Sequence, residues 1–93
     1  MKKQLTKNDI YHYRSTNKIY GIHKDIYGDV SKISGDVTNI WGDATGISGV
    51  VSKIRGNLTG IEGDATDVSG NLEDCEITEE DRINKININI LIN

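Results

Sequence analysis

A seven-residue period runs without interruption over residues 19–74, and it constrains the fold more than any other feature, because a short repeat places equivalent side chains in equivalent surroundings. The copies begin at Ile19, Ile26, Ile33, Ile40, Ile47, Ile54, Ile61 and Val68. Their consensus is I-x-G-[D/N]-[V/A/L]-[T/S]-x, with glycine third in all eight. The fourth position is Asp29, Asp36, Asp43, Asn57, Asp64 or Asn71, with Ile22 and Val50 as exceptions. The fifth is aliphatic in every copy except the first, which has His23.

Seven is also the period of a coiled coil, and the fifth and first positions make a passable a/d seam. The glycines oppose it. Each costs about 0.8–1.0 kcal/mol in a helix, and eight of them cost roughly 6–8 kcal/mol, comparable to the stability of a whole domain. The repeat is therefore read as β-structure. Gly-Asx is expected to form a tight corner, with glycine supplying positive φ and the Asx side chain bonding a nearby N–H. The segment V-T-x-I-x between corners is expected to be extended. Positions one and five point inward; positions two, six and seven face water. Two heptads make one coil, so residues fourteen apart should stack about 4.8 Å apart. The fold class this predicts is all-β: a short β-solenoid (β-helix) of about four 14-residue coils, with a hairpin-like cap at the N-terminus and a helical turn plus strand cap at the C-terminus.

Three segments follow: a basic arm and cap over residues 1–18, the heptad repeat over 19–74, and a C-terminal cap or dimerisation segment over 75–93. Ile10-Tyr11-His12-Tyr13 and Ile19-Tyr20-Gly21-Ile22 flank Ser15-Thr16-Asn17-Lys18, which reads as a hairpin. Thr78 with Asp81 three residues later reads as a helix N-cap. The tail from Ile86 to Ile92 alternates apolar and polar, a strand pattern that should cover the open end or pair with a second chain through Ile86, Ile88 and Ile90.

Charge divides the chain. Residues 1–24 carry six Lys or Arg and one acid, whereas residues 25–93 carry thirteen acids and five bases. A basic arm on an acidic body favours electrostatic steering toward a charged partner. Direct nucleic-acid binding is not expected of so acidic a body. There is no run of eighteen apolar residues and no apolar stretch of a signal peptide near the N-terminus, so a cytoplasmic location without membrane attachment is expected. The single cysteine, Cys75, excludes an internal disulfide.

Four surfaces compete as sites. Tyr27, Trp41 and Arg55 lie fourteen apart at the second position, and Tyr13 would continue them. These are residue types that anchor interfaces, and a stacked Trp–Arg pair would add a cation–π contribution of about 0.5–1 kcal/mol. Asp29 and Asp43 fall on one edge, followed by Asn57 and Asn71; Asp36 and Asp64 fall on the other, interrupted by Val50. Calcium-binding β-rolls also use Gly-Asp repeats, but this chain lacks their doubled glycines, so the acids are read as corner caps and no metal is expected. The hydroxyl columns are too narrow and too close to charge for ice binding. His12, His23 and Cys75 form no catalytic constellation, and no phosphate loop, CxxC pair or zinc set is present, so neither an enzyme nor a cofactor is expected.

The stretch from Ile33 to Ile40, Ile-Ser-Gly-Asp-Val-Thr-Asn-Ile, resembles with its sister copies the short I-x-G-D-V-[S/T]-x repeat proteins encoded as small open reading frames in phages and prophages. That resemblance covers about two-thirds of the chain. It implies an inhibitor of host defence of the anti-CRISPR type, acting in the host bacterial cytoplasm. Its partner would be a host protein or ribonucleoprotein complex, met by the Tyr27–Trp41–Arg55 face and the acidic edges. The competing expectation is a structural spacer or oligomerisation module.

Overall fold

The computed structural model describes residues 9–92. The repeat is dealt alternately into two parallel sheets. Strands β3 (Ile26–Tyr27), β5 (Ile40–Asp43), β7 (Ile54–Asn57) and β9 (Gly70–Asn71) form a four-stranded sheet in that order. Strands β4 (Ile33–Asp36), β6 (Ile47–Val50) and β8 (Ile61–Asp64) form the centre of the other. That second sheet is extended at one end by β1 (Ile10–Arg14) and β2 (Asn17–Tyr20) and at the other by β10 (Ile86–Asn87).

Strand and corner are exchanged relative to the expectation from sequence. The strand is I-x-G-[D/N], and V-T-x makes the corner. The cause is local: Asp36 Oδ1 accepts from Thr38 N at 2.9 Å, and Asn57 Oδ1 from Thr59 N at 2.9 Å. That bond bends the chain just after the Asx residue. A backbone bond from the next first-position N–H to the fifth-position carbonyl then closes the turn, as from Ile47 to Ala44 (3.1 Å) and from Ile61 to Leu58 (2.9 Å). The glycine lies within the strand at positive φ, +90° for Gly42.

The stacking register also differs. Ile26 sits opposite Gly42, Ile40 opposite Gly56, Ile33 opposite Gly49 and Ile47 opposite Gly63, a spacing of sixteen residues, not fourteen. Each strand is displaced by two residues, roughly 6.6 Å, along its predecessor. The sixth-position hydroxyl explains the displacement. Thr45 Oγ1 accepts from the N–H of Asp29 (3.2 Å), Ser52 Oγ from Asp36 (2.9 Å), Thr59 Oγ1 from Asp43 (3.0 Å) and Thr66 Oγ1 from Val50 (3.2 Å). Joining a position-six oxygen to a position-four N–H of the preceding strand in the sheet requires an offset of two. The sixth-position residues Ser31, Thr45, Ser52 and Thr66 are exposed as expected, and their hydroxyls also tie neighbouring strands together.

The core is the two inward columns. Ile40, Ile47, Val37, Val51, Leu58, Ala44 and Ala65 have no exposed surface, and Ile26, Ile33, Ile54 and Ile61 have at most 3%. Positions one and five therefore face inward as expected. Ser34, a second-position residue, is buried against expectation.

Both ends reuse the repeat's geometry with other residues. β1 pairs parallel with β4, Ile10 opposite Gly35, so Ile10 occupies the slot that register would assign to Ile19. Tyr13 N donates to Thr38 Oγ1 at 2.8 Å as an Asx N–H does elsewhere. The chain then turns at Ser15 (φ +61°), and Ile19 returns in the antiparallel strand β2. At the other end, helix α1 (Glu79–Asn84) has Thr78 as its N-cap and a reciprocal capping box with Asp81. Arg82 Nη1 donates to the carbonyls of Asn57 (2.7 Å) and Thr59 (2.6 Å), tying the helix to the corner after β7. β10 then pairs parallel with β8, and Asn87 Oδ1 accepts from Asn89 N at 2.9 Å, an Asx corner again. The expected strand over the tail is limited to Ile86–Asn87, because that corner turns residues Ile88–Leu91 into a 3-10 turn. Ile88 is fully buried within the chain and so has no surface to offer a second chain, whereas Ile86 is partly buried against the core.

Two substitutions test the ties between neighbouring strands. Thr59→Val deprives the Asp43 N–H of its acceptor and should lower stability by about 1 kcal/mol in urea unfolding. Gly42→Ala should cost more, about 1–3 kcal/mol, because a Cβ at φ +90° is strained and would collide with Asn57 Oδ1 and Thr59 Oγ1.

Candidate interaction surface

The outer face of the four-stranded sheet carries second-position side chains, whose alternation with inward Ile and Gly aims them away from the core. Tyr27 on β3 is 58% exposed, Trp41 on β5 is 42% exposed, and Arg55 on β7 is exposed. They share the face but are not flush. The register sets Tyr27 opposite Asp43, Trp41 opposite Asn57 and Arg55 opposite Asn71. Successive members of the row are therefore about 8 Å apart at Cα, from a strand spacing of about 4.8 Å and a slip of about 6.6 Å. No Trp41–Arg55 cation–π contact forms among the described residues.

Tyr13 does not join them. It lies on β1 in the other sheet, opposite Lys18 in the hairpin and edge-on to Tyr11 at 6.0 Å. The hairpin has its own cluster, which the repeat-based reading did not single out. Lys18 Nζ stands 4.2 Å from the centre of the Tyr11 ring and 5.2 Å from that of Tyr20. Its signal was present in the strand alternation, since Tyr11 and Tyr20 are cross-strand partners and Lys18 is two residues from Tyr20.

The acids fall on two edges as the spacing predicts: Asp29 and Asp43 at corners of the four-stranded sheet, Asp36 and Asp64 at corners of the other. Each accepts hydrogen bonds from its own corner. Asp29 Oδ1 receives Ser31 Oγ (2.6 Å) and Ser31 N (2.9 Å); Asp64 Oδ1 receives Thr66 N (2.9 Å). Donors favour the charged form. The Ser31 hydroxyl and amide hold Asp29 below the usual carboxylate range, the Thr45 hydroxyl and amide do so for Asp43, and the Thr66 amide and hydroxyl for Asp64. Among the described residues no three His, Cys, Asp or Glu side chains converge closely enough to hold a metal ion.

His23 and Cys75 sit at inward slots, both partly buried. His23 Nδ1 accepts from Asp25 N at 3.2 Å, so its Nε2 carries the proton and donates to the carbonyls of Val37 and Ile40, both at 2.9 Å. The imidazole thus satisfies carbonyls at the corner between β4 and β5. His12 is 5.6 Å from the His23 ring, edge-on, and its Nδ1 meets the Gly21 carbonyl at 2.8 Å.

The lowered carboxylates make stability pH-dependent with a defined sign. A group whose folded value lies below its unfolded value, about 3.9 for Asp, stabilises fully above that value and loses its contribution as pH falls through the folded one. The melting temperature should therefore decline below about pH 4. In an Asp43→Asn/Asp64→Asn variant the fall should be shallower, because asparagine keeps the acceptor without the charge, as Asn57 already does. An unchanged acid limb by circular dichroism would assign the loss to other carboxylates.

Compared with known proteins, the chain matches no family model, no curated protein and no solved structure.

Proposed function

We propose that the chain is a short β-solenoid, two heptads to a coil, and that it works as a non-catalytic interaction protein. In this reading it is a phage-encoded stoichiometric inhibitor of a host nucleic-acid-handling complex, of the anti-CRISPR type, in the host cytoplasm. The observation that carries the interaction role is Trp41. The chain's only tryptophan is held on the outside of an ordered sheet at 42% exposure, with Tyr27 and Arg55 on the same face. A large aromatic kept out of a core that lacks large residues favours a partner surface over packing. Asp29 and Asp43 border that face, and their bonds to Ser31 and Thr45 keep them ionised, so the same carboxylates that fix the corners present negative charge. A basic groove built for a phosphate backbone complements them.

A second reading, an oligomerisation module, is favoured by one observation. Ile83, Ile90 and Ile92 at the C-terminal cap are 78%, 73% and 50% exposed. Ile90 belongs to the set expected to mediate self-association, whereas Ile88 is fully buried in the cap and Ile86 partly so.

The two readings separate in solution. With a purified CRISPR effector ribonucleoprotein, the inhibitor reading expects one-to-one binding that weakens as salt rises and competes with the target strand. Trp41→Ala should weaken it by about 2 kcal/mol, roughly thirty-fold. Salt-insensitive binding that tolerates Trp41→Ala would rule that reading out. A discrete oligomer in sedimentation, dissolved by Ile83→Asp/Ile90→Asp with no loss of folded signal, would favour the module instead.

A further inference from the structure

The four-stranded sheet ends at β9, and no further strand covers that edge among the described residues. Earlier edges of the same sheet show what such an edge accepts. Gly42 N and Ala44 N donate to the carbonyls of Asp25 and Tyr27, and Gly56 N and Leu58 N to those of Asn39 and Trp41. The corner Asp43-Ala44-Thr45 fills the notch beside Gly28, and Asn57-Leu58-Thr59 fills the one beside Gly42. At β9 the notch is open: nothing lies within 4 Å of a Cβ placed on Gly70. By the same register the carbonyls of Asp67 and Ser69 and the N–H of Asn71 are the groups left for a next strand. Beside them is a cleft of about 480 Å³, with Ile54, Val68, Leu72, Ile88 and Leu91 in its lining. It occupies the place where the first and fifth side chains of another copy would pack. Asp67 and Asp74 are also in its lining, and residues 73–81 carry six acids and no base.

We propose that this edge binds an extended, basic peptide segment of a partner protein, added as a parallel fifth strand with the pattern aliphatic-x-x-Asx-aliphatic-Ser/Thr. Its two N–H groups reach the Asp67 and Ser69 carbonyls, and its hydroxyl accepts from Asn71 N–H. Its Asx corner fills the Gly70 notch, and its aliphatic side chains enter the cleft. Main-chain bonds supply affinity and the side-chain slots supply selectivity. The acidic rim selects for basic flanks. The site is separate from the Tyr27–Trp41–Arg55 face, and its test is independent of that reading.

Cys75 lines the cleft and is the only cysteine, so alkylation of its thiol by iodoacetamide in the intact protein reads occupancy. The probe is a synthetic peptide with the sequence from Ile40 to Gly46 and two lysines at each end. It should slow alkylation roughly five-fold at about four times its Kd, and less as salt rises. The same peptide carrying the Asp43→Ala and Thr45→Ala changes should not protect. Equal protection by that peptide or by a scrambled one, or no protection at all, overturns the proposal. So does protection that grows with protein concentration in the absence of peptide, because the occupant would then be a second copy.

Discussion

The hydrogen bond from the fourth-position N–H of one strand to the sixth-position hydroxyl that follows the next strand of the same sheet governs the arrangement. It sets the two-residue slip between strands, since an in-register stack would place hydroxyl beside hydroxyl and glycine beside glycine. It also explains the glycine column. The hydroxyl and its Asx partner must come close to the preceding strand, and the place they enter is where a Cβ would stand at Gly28, Gly42 or Gly49. Where the copy has an Asp, the hydroxyl can accept from the strand before it while donating to its own carboxylate, as Thr45 accepts from Asp29 N and donates to Asp43 Oδ1. The backbone of those corners is thus satisfied without large side chains.

Where the repeat changes residue, the geometry is conserved by substitution. Val50 has no carboxylate, yet its N–H still reaches Thr66. Glu73 stands where the last copy should have a hydroxyl, and its Oε1 accepts from Asn57 N at 3.0 Å. Tyr13 takes the Asx place in the first slot, and Asn87 and Asn89 rebuild a corner in the last. What the stack requires is an acceptor at one point and an N–H at another. Several side chains meet that requirement when the backbone is already in place.

The inward columns, the hairpin, the helix cap and the division of acids between edges were legible in the sequence, because each follows from a local rule: side-chain alternation, turn chemistry or capping. The register was not. A slip of two residues returns every side chain to the same face, so burial pattern and period are identical at fourteen and sixteen. Only the partner of the Thr hydroxyl distinguishes them, and that partner belongs to another strand, sixteen residues away. The exchange of strand and corner was hidden for a related reason. Gly-Asx is a strong turn signal, and at Asp36 the turn is present, but the Asx side chain bonds forward to Thr38 and moves the bend to the residues after it. The replacement of Ile19 by Ile10 in the first slot was equally invisible, since both segments alternate and only the paired register decides between them.

The slip changes what the aromatic face can recognise. A flush ladder would present Tyr27, Trp41 and Arg55 as one stripe about 10 Å long from end to end, two strand spacings across the sheet. The oblique row is about 16 Å long and inclined at about 50–55° to the strand normal. Along the strand-to-strand direction each large side chain has an Asx as its neighbour, Tyr27 beside Asp43 and Trp41 beside Asn57. A partner that meets this face therefore needs apolar or π-stacking contacts along the diagonal and hydrogen-bond donors between them. A groove lined with Arg meets both needs, since guanidinium stacks on aromatic rings and donates to carboxylate and amide oxygens. In the proposed reading such a groove is one that holds phosphates and bases, and the sheared register, more than the net charge, is the feature of this face that would complement it.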